Sequence, residues 1–254
     1  MSPVYVEGAH NMQSWGITDP GCIRPQNQDA YKIIELDRNT WLCVVCDGMG
    51  GAKSGNVAST LAVDVFSQEI CNTYHSGMDE QDVNDLLQRS IKLANFTVYD
   101  QAREVEDFAG MGTTLVAAFV RGKQVTVANV GDSRAYVVNE EGIRLITTDH
   151  SLVQMMIQRG ELLPEQAKQY PGKNLITRAI GTETVVQCDL FHLELERDNV
   201  LLLCTDGLSN LLDDQELLFE IVHRSERQDC CRRLLDIAKT RGAPDNVTCV
   251  LLQA

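Results

Sequence analysis

The sequence predicts an α+β protein in which antiparallel sheets are layered against pairs of helices. Short apolar runs rich in branched residues are numerous, and several follow one another after only a few residues, a spacing that suits hairpins. Helical patterns come in neighbouring pairs instead of alternating with single strands, which separates this chain from βαβ architectures. No self-similar period of roughly 20–50 residues recurs, so a repeat protein is excluded.

The elements follow in order. YKIIEL (31–36) and WLCVVC (41–46) read as strands bounded by polar turn residues. Over 55–74, Val57, Leu61, Val65 and Ile70 share a helical face with Ala58, Ala62 and Phe66 beside them, and Ser54 stands at the N-cap. Over 79–105, Val83, Leu86, Leu87, Ile91, Leu93, Ala94 and Val98 give a second amphipathic helix. Three strands come next: TLVAAFV (114–120), QVTVANV (124–130) and RAYVV (134–138). The pattern weakens over 150–181, where SLVQMMIQRG suits a short helix and ELLPEQAKQYPGKN carries two prolines; this is expected to be a mobile excursion suited to recognition. NVLLLC (199–204) and VTCVLL (247–252) are strands, with helices predicted over 213–223 and 228–240 between them.

The chain has 254 residues and no Pro/Gly/Ser-rich linker, so one domain over 1–254 is expected. Hydrophobic residues at 44% and charged residues at 23% are ordinary globular values, and no run is long enough to cross a bilayer. The first residues lack the basic start and apolar centre of a signal peptide, so a soluble, cytoplasmic protein is expected. A net charge of −14 argues against nucleic acid or an anionic membrane as the main partner. Nine cysteines, an odd number in a long chain without a leader, read as free core thiols. Cys43 and Cys46 form a CxxC, but on a strand they face opposite sides of the sheet and cannot readily share a metal.

The chemistry lies in the aspartates. VVCDGMGGAKSG (44–55) ends an apolar strand on Asp47-Gly48, which by itself reads either as a turn or as a place where backbone approaches whatever the carboxylate holds. LLLCTDGLSN repeats the pattern with Asp206, and ANVGDSRAY ends a strand on Asp132. Asp245 in GAPDNVTCVLL and Asp29 in RPQNQDAYKII stand directly before strands. Each alone is an ordinary turn or cap residue. Five at the ends of strands sharing one core would repel one another unless cations neutralised them. Hard divalent ions such as Mg²⁺ and Mn²⁺ take oxygen ligands, few carboxylates each, and a backbone carbonyl where glycine allows it. No His/Cys cluster with zinc spacing competes.

Six motifs occur in order: RPQNQD (24–29), DGMGG (47–51), MGTTL (111–115), GDSR (131–134), TDGL (205–208) and DN (245–246). Together they resemble the metal-dependent PP2C-type protein serine/threonine phosphatases, in particular their compact bacterial branch. The resemblance implies a four-layer αββα sandwich of two antiparallel sheets flanked by helical pairs, with a binuclear Mn²⁺/Mg²⁺ centre between the sheet edges. It implies that Asp47 bridges two ions, that the Gly48 carbonyl binds one, and that Asp206 and Asp245 complete the other. Asp29 would support the centre through water, Asp132 would bind a third metal, and Arg24 would grip the substrate phosphate. The implied reaction is hydrolysis of phosphoserine or phosphothreonine in proteins by a water held between the ions, with Arg24 and Asp47 as catalytic residues.

Relatives carry His where Met49 and Ala52 stand here, so a metal-bound water is the preferred general acid. Gln28 replaces a common Glu and brings no charge. Thr113, Thr114 and Arg178 match family positions and read as supporting residues; His150 reads as a hydrogen-bonded structural residue, and Met155 and Met156 as packing. Residues 150–181 correspond to the family's flap. A monomer acting on phosphoproteins opposite a serine/threonine kinase is implied. A catalytically silent binding module and a small-molecule phosphomonoesterase are the rival readings.

Overall fold

Side-chain alternation decides the layers. On β4 (Thr40–Met49), Leu42, Val44 and Cys46 pack on one side while Trp41, Cys43 and Val45 pack on the other, all of them buried. A strand covered on both faces reads as a continuous apolar run, which is why WLCVVC shows no polar alternation. The same alternation separates Cys43 from Cys46, as expected, and the nine cysteines are free thiols.

The computed structural model describes residues 4–7, 12–50, 54–167, 170–223 and 227–253. Gly51 and Ala52 of the glycine-rich motif lie outside the described residues. One antiparallel sheet runs in space β1 (Val4–Glu7), β2 (Gln13–Asp19), β12 (Val247–Gln253), β11 (Val200–Cys204), β8 (Arg134–Asn139), β9 (Gly142–Leu145). The other runs β10 (Asp189–Glu194), β7 (Gln124–Val130), β6 (Leu115–Arg121), β4, β3 (Asp29–Asp37), and the short β5 (Gly112–Thr113) pairs with the end of β4.

Three apolar clusters fill three interlayer spaces. Trp41, Val116, Val127, Leu203 and Val250 lie between the sheets. Phe66, Leu87, Leu115 and Ala128 join the second sheet to α1 (Gly55–Thr73) and α2 (Glu80–Glu104). Trp15, Leu202, Leu217 and Leu234 join the first sheet to α6 (Asp214–Val222) and α7 (Cys230–Thr240). The fold is the expected four-layer sandwich. Between β9 and β10 the 150–181 excursion carries α3 (Leu152–Gln158) and α4 (Pro164–Ala167), and α5 (Asp206–Ser209) follows β11 directly.

Several expectations shift. The 41–46 strand continues through Asp47 and Gly48 to Met49, pairing Asp47 with Asp29 and Gly48 with Thr113, so the Asp-Gly pair is not a turn. On α1 the fully buried line is Ala58, Ala62, Phe66 and Ile70, whereas Val57, Leu61 and Val65 are only partly buried: two alanines let the helix settle close to the sheet. Ser54 occupies the N-cap position with helical backbone angles and no side-chain capping bond, whereas Asp79 caps α2 in a reciprocal capping box with Asp82. Removing Phe66 from the α1–sheet contact is expected to cost about 3–5 kcal/mol and Leu61→Ala clearly less; urea unfolding of the two alanine variants measures the difference.

Candidate metal centre

Antiparallel register brings the acids together. Asp29 and Asp47 are direct partners on β3 and β4, Asp206 opens α5 at the end of β11, and Asp245 precedes β12, the neighbour of β11. Strands of both sheets thus end at one edge of the sandwich. Asp47, Asp132, Asp206 and Asp245 line a cavity of about 270 Å³ there, with Arg24, Gln28, Gly48, Asn174 and Ile176.

The main chain at Asp47 is held by the MGTTL segment. The amides of Asp47 and Thr114 donate to the Thr114 hydroxyl and the Asp47 carbonyl respectively, both at 2.9 Å, and the Thr113 hydroxyl donates to the same carbonyl at 2.8 Å. The Thr114 hydroxyl also meets that of Ser133 at 2.7 Å, which ties β4 to the GDSR loop carrying Asp132. Gly48 is constrained by space: a Cβ there would overlap the carbonyl oxygens of Gly55 and Gln28. This resolves the reading of the Asp-Gly pair, because the glycine allows close passage of backbone beside the acid. Asn246 fixes the opposite wall; its amide group donates to the carbonyls of Pro20 and Gln26 and its oxygen accepts from the Gln28 amide.

Asp29 sits behind the cavity, only 8% exposed. Its Oδ2 accepts from Thr205 at 3.0 Å and Thr248 at 2.7 Å, both from the other sheet, and its buried Oδ1 has no hydrogen-bond partner. Arg24 pairs with Asp245 at 2.9 Å, and Asn210 donates to Asp206 at 3.0 Å. Burial, then the neighbouring carboxylates, pushes Asp47 well above the ordinary carboxylate range. Asp29 rises to about 7 through burial, against the pull of its threonine bonds. Asp132 also rises to about 7, through burial and then Asp206 and Asp149; Asp206 is raised by burial and by Asp245. Among the described residues, no three acidic, imidazole or thiol groups close around one point as a tight cage. The arrangement is an open ring of carboxylates, chemically suited to hard ions that retain most of their water.

The model for "Protein phosphatase 2C" matches residues 25–237. This chain belongs to the protein phosphatase 2C family. Serine/threonine phosphatase stp of Listeria monocytogenes serotype 4b is 36% identical over 93% of both chains. Protein phosphatase PhpP of Streptococcus pneumoniae is 31% identical over 93% of this chain and 95% of its own. Among solved structures, serine/threonine phosphatase Stp1 from Staphylococcus aureus superposes with a TM-score of 0.91 at 36% identity, over 100% of this chain and 99% of that one. PstP/Ppp from Mycobacterium tuberculosis gives 0.85 at 30%, over 95% and 98%. The chain is accordingly a protein phosphatase.

Within this family member, the sequence-predicted residues divide by position. Arg24, Asp47, Gly48, Asp132, Asp206 and Asp245 share the cavity, whereas Asp29 lies behind it. Thr113 and Thr114 brace Asp47, and Met49 lines the cavity wall. Arg178 and His150 lie outside the lining and bond to Asp189. Arg24 being held by Asp245 was not foreseen. Sequence reasoning also missed Asn174 and Ile176, which reach the cavity from the return of the 150–181 excursion. Thr205 could have been suspected, since it stands between the end of β11 and Asp206, and Thr248 lies in β12 three residues after Asp245.

The raised acids set a pH dependence for the metal-free phosphatase. A carboxyl whose folded pKa exceeds its unfolded value contributes stability that is present below the unfolded pKa and lost as pH rises through the folded one. For Asp29 and Asp132 that window runs from the ordinary carboxyl value of 3.8 to about 7. In EDTA, the thermal midpoint is therefore expected to fall from pH 5 to pH 7.5, and Asp29→Asn to flatten the fall; calorimetry across that range measures both.

Proposed function

We propose that this protein phosphatase hydrolyses phosphoserine and phosphothreonine in proteins with two Mn²⁺ or Mg²⁺ ions held by its acidic ring. The observation that carries the reading is the convergence of Asp47, Asp132, Asp206 and Asp245 on one cavity with the unpartnered Asp29 oxygen behind it. Buried carboxylates this crowded call for a counter-charge. The donor set is all oxygen, which fits hard divalent ions and not zinc.

In this reading Asp47 and the Gly48 carbonyl, with Asp206 and Asp245, hold the two ions, and Asp132 holds a third. Asp29 supports the centre from behind through water. Ions held there would supply Lewis-acid stabilisation of phosphate charge and would lower the pKa of the attacking water. Arg24 presents a planar donor fork suited to a phosphate's oxygens. Its partner Asp245 is itself a proposed ligand, so metal binding by Asp245 would leave Arg24 available to a phosphate. Thr113 and Thr114 hold the Asp47 backbone so that its carboxylate faces the cavity.

A macromolecular substrate is supported by the surroundings. A second cavity of about 360 Å³, under the 150–181 flap, shares Asp132, Asn174 and Asp206 with the first, which leaves room for chain flanking the phosphorylated residue. The relatives' names as serine/threonine phosphatases support the same substrate class. A silent binding role is disfavoured by the intact acidic set. The proposed setting is the cytoplasm, as a monomer opposite a serine/threonine kinase. Its free thiols suit a reducing compartment, and no helix among the described residues is long and apolar enough to cross a membrane.

Turnover of a phosphothreonine peptide with Mn²⁺, abolished by EDTA and by Asp206→Ala, is the expected outcome. Sugar phosphates are expected to turn over far more slowly; the reverse preference would point to a small-molecule phosphomonoesterase. Arg24→Ala is expected to lower kcat/KM on the order of 10²-fold, read from steady-state kinetics on the same peptide.

A further inference from the structure

His150 lies outside the acidic cavity, yet its side chain and main chain join the two parts of the protein that border it. Its ring Nδ1 accepts from the Gly131 amide at 3.0 Å, and its own amide donates to the Gly131 carbonyl at 2.9 Å. One residue thus clasps both polar atoms of the residue preceding Asp132. Gly131 has φ of +109°, and a Cβ there would lie 2.6 Å from the Thr114 side chain. The conformation that aims Asp132 is therefore open to glycine and unusual for other residues, and the clasp holds it. Asn129 adds a bond from its amide group to the Gly131 carbonyl at 3.2 Å.

The other side of the ring faces the flap. Nε2 lies 3.2 Å from Asp189 Oδ2 at the start of β10, and the Arg178 guanidinium donates to Asp189 Oδ1 at 2.8 Å. Because Nδ1 accepts, the proton of the neutral ring sits on Nε2 and is donated to Asp189. Arg178 also approaches Nε2 at 3.0 Å, a contact between two donors that share one carboxylate. The His150 carbonyl accepts from Thr177 at 2.7 Å, and Ser151 bridges to Ile176. The flap therefore leaves and rejoins the sandwich at His150. The ring is 7% exposed and makes both bonds at once.

We infer that His150 is a positioning residue that locks the Asp132 loop and the two stems of the flap into one unit. Asn174 and Ile176, which reach the cavity from the returning stem, are then set in place by the same residue that sets Asp132. Arg178 and Asp189 are the outer half of this lock. The inference uses the phosphatase reading only for its kinetic readout; the structural readout stands without it.

Two substitutions divide the ring's bonds. His150→Asn retains an acceptor near Nδ1 for the Gly131 amide and loses Asp189; His150→Gln reaches toward Asp189 and loses the Gly131 acceptor. Hydrogen exchange is followed by mass spectrometry on the metal-free proteins, with His150→Ala as the full deletion. The expected result is faster exchange of peptides covering 128–135 in His150→Gln and His150→Ala, their retention near wild type in His150→Asn, and faster exchange of 150–160 and 174–181 in His150→Asn and His150→Ala. Exchange rising evenly along the chain, or both peptide groups responding alike to Asn and Gln, overturns the inference. Should His150→Ala fail to fold, the Asn/Gln pair carries the comparison.

In the kinetic arm, His150→Asn, which frees the flap stems and keeps the Gly131 bond, is expected to raise the KM for a phosphothreonine peptide about 10-fold while the KM for p-nitrophenyl phosphate changes far less. Equal losses on both substrates overturn the inference. An inactive wild-type enzyme with the expected exchange pattern refutes the phosphatase mechanism and leaves the lock standing.

Discussion

Electrostatic crowding at the sandwich edge is the constraint on which the other features rest. Asp29, Asp47, Asp132 and Asp206 are drawn together beside the more exposed Asp245, and burial with mutual repulsion raises all four. A fold that did this without compensation would be destabilised. Compensation here is spread across both sheets. Thr205 and Thr248 reach from the first sheet to Asp29 on the second, and Arg24 neutralises Asp245. The acids therefore sit on the seam of the sandwich, and anything that neutralises them also favours the sheets' closure, since binding to the folded state alone adds directly to its stability.

Much of the scaffold was legible because its central strands are covered on both faces. β4, β6 and β11 carry unbroken apolar runs, β7 and β12 carry runs interrupted only by Thr126, Asn129 and Thr248, and α2 shows clear periodicity. The strands that escaped notice lack that signature. β2 contains Gly16, whose Cβ position is occupied by the ring of Tyr31, so the side chain that would mark a strand is supplied by a neighbour. β10 runs along a sheet edge and keeps Asp189, His192 and Glu194 among its apolar residues. β5 is two residues long and exists only because β4 overruns its sheet.

The acidic residues of the site were legible for a related reason: Asp47, Asp132, Asp206 and Asp245 close or precede those apolar runs, and Asp29 opens β3 beside them. Their meeting depends on register, which pairs Asp29 with Asp47 across strands and places Asp206 and Asp245 on neighbouring ones. Local propensity favoured a turn at Asp47-Gly48, and tertiary pairing with β5 overrode it. The ties of Arg24 to Asp245 and of Asn246 to the 20–28 segment join residues far apart in the chain, so no local pattern announces them.

The thiols have a consequence of a different kind. Six of the nine cysteines are buried, and burial pushes Cys43 and Cys204 up to about 12, where almost no thiolate exists at neutral pH. Cys204 stands only two residues before Asp206, yet it contributes nothing nucleophilic to the neighbouring cavity. Peroxides and alkylating agents, which disarm enzymes that attack through a thiolate, find their open targets here at the exposed Cys22 and Cys71. Thiol oxidation at those exposed positions thus modifies sulfur on the surface and not the carboxylates of the acidic ring.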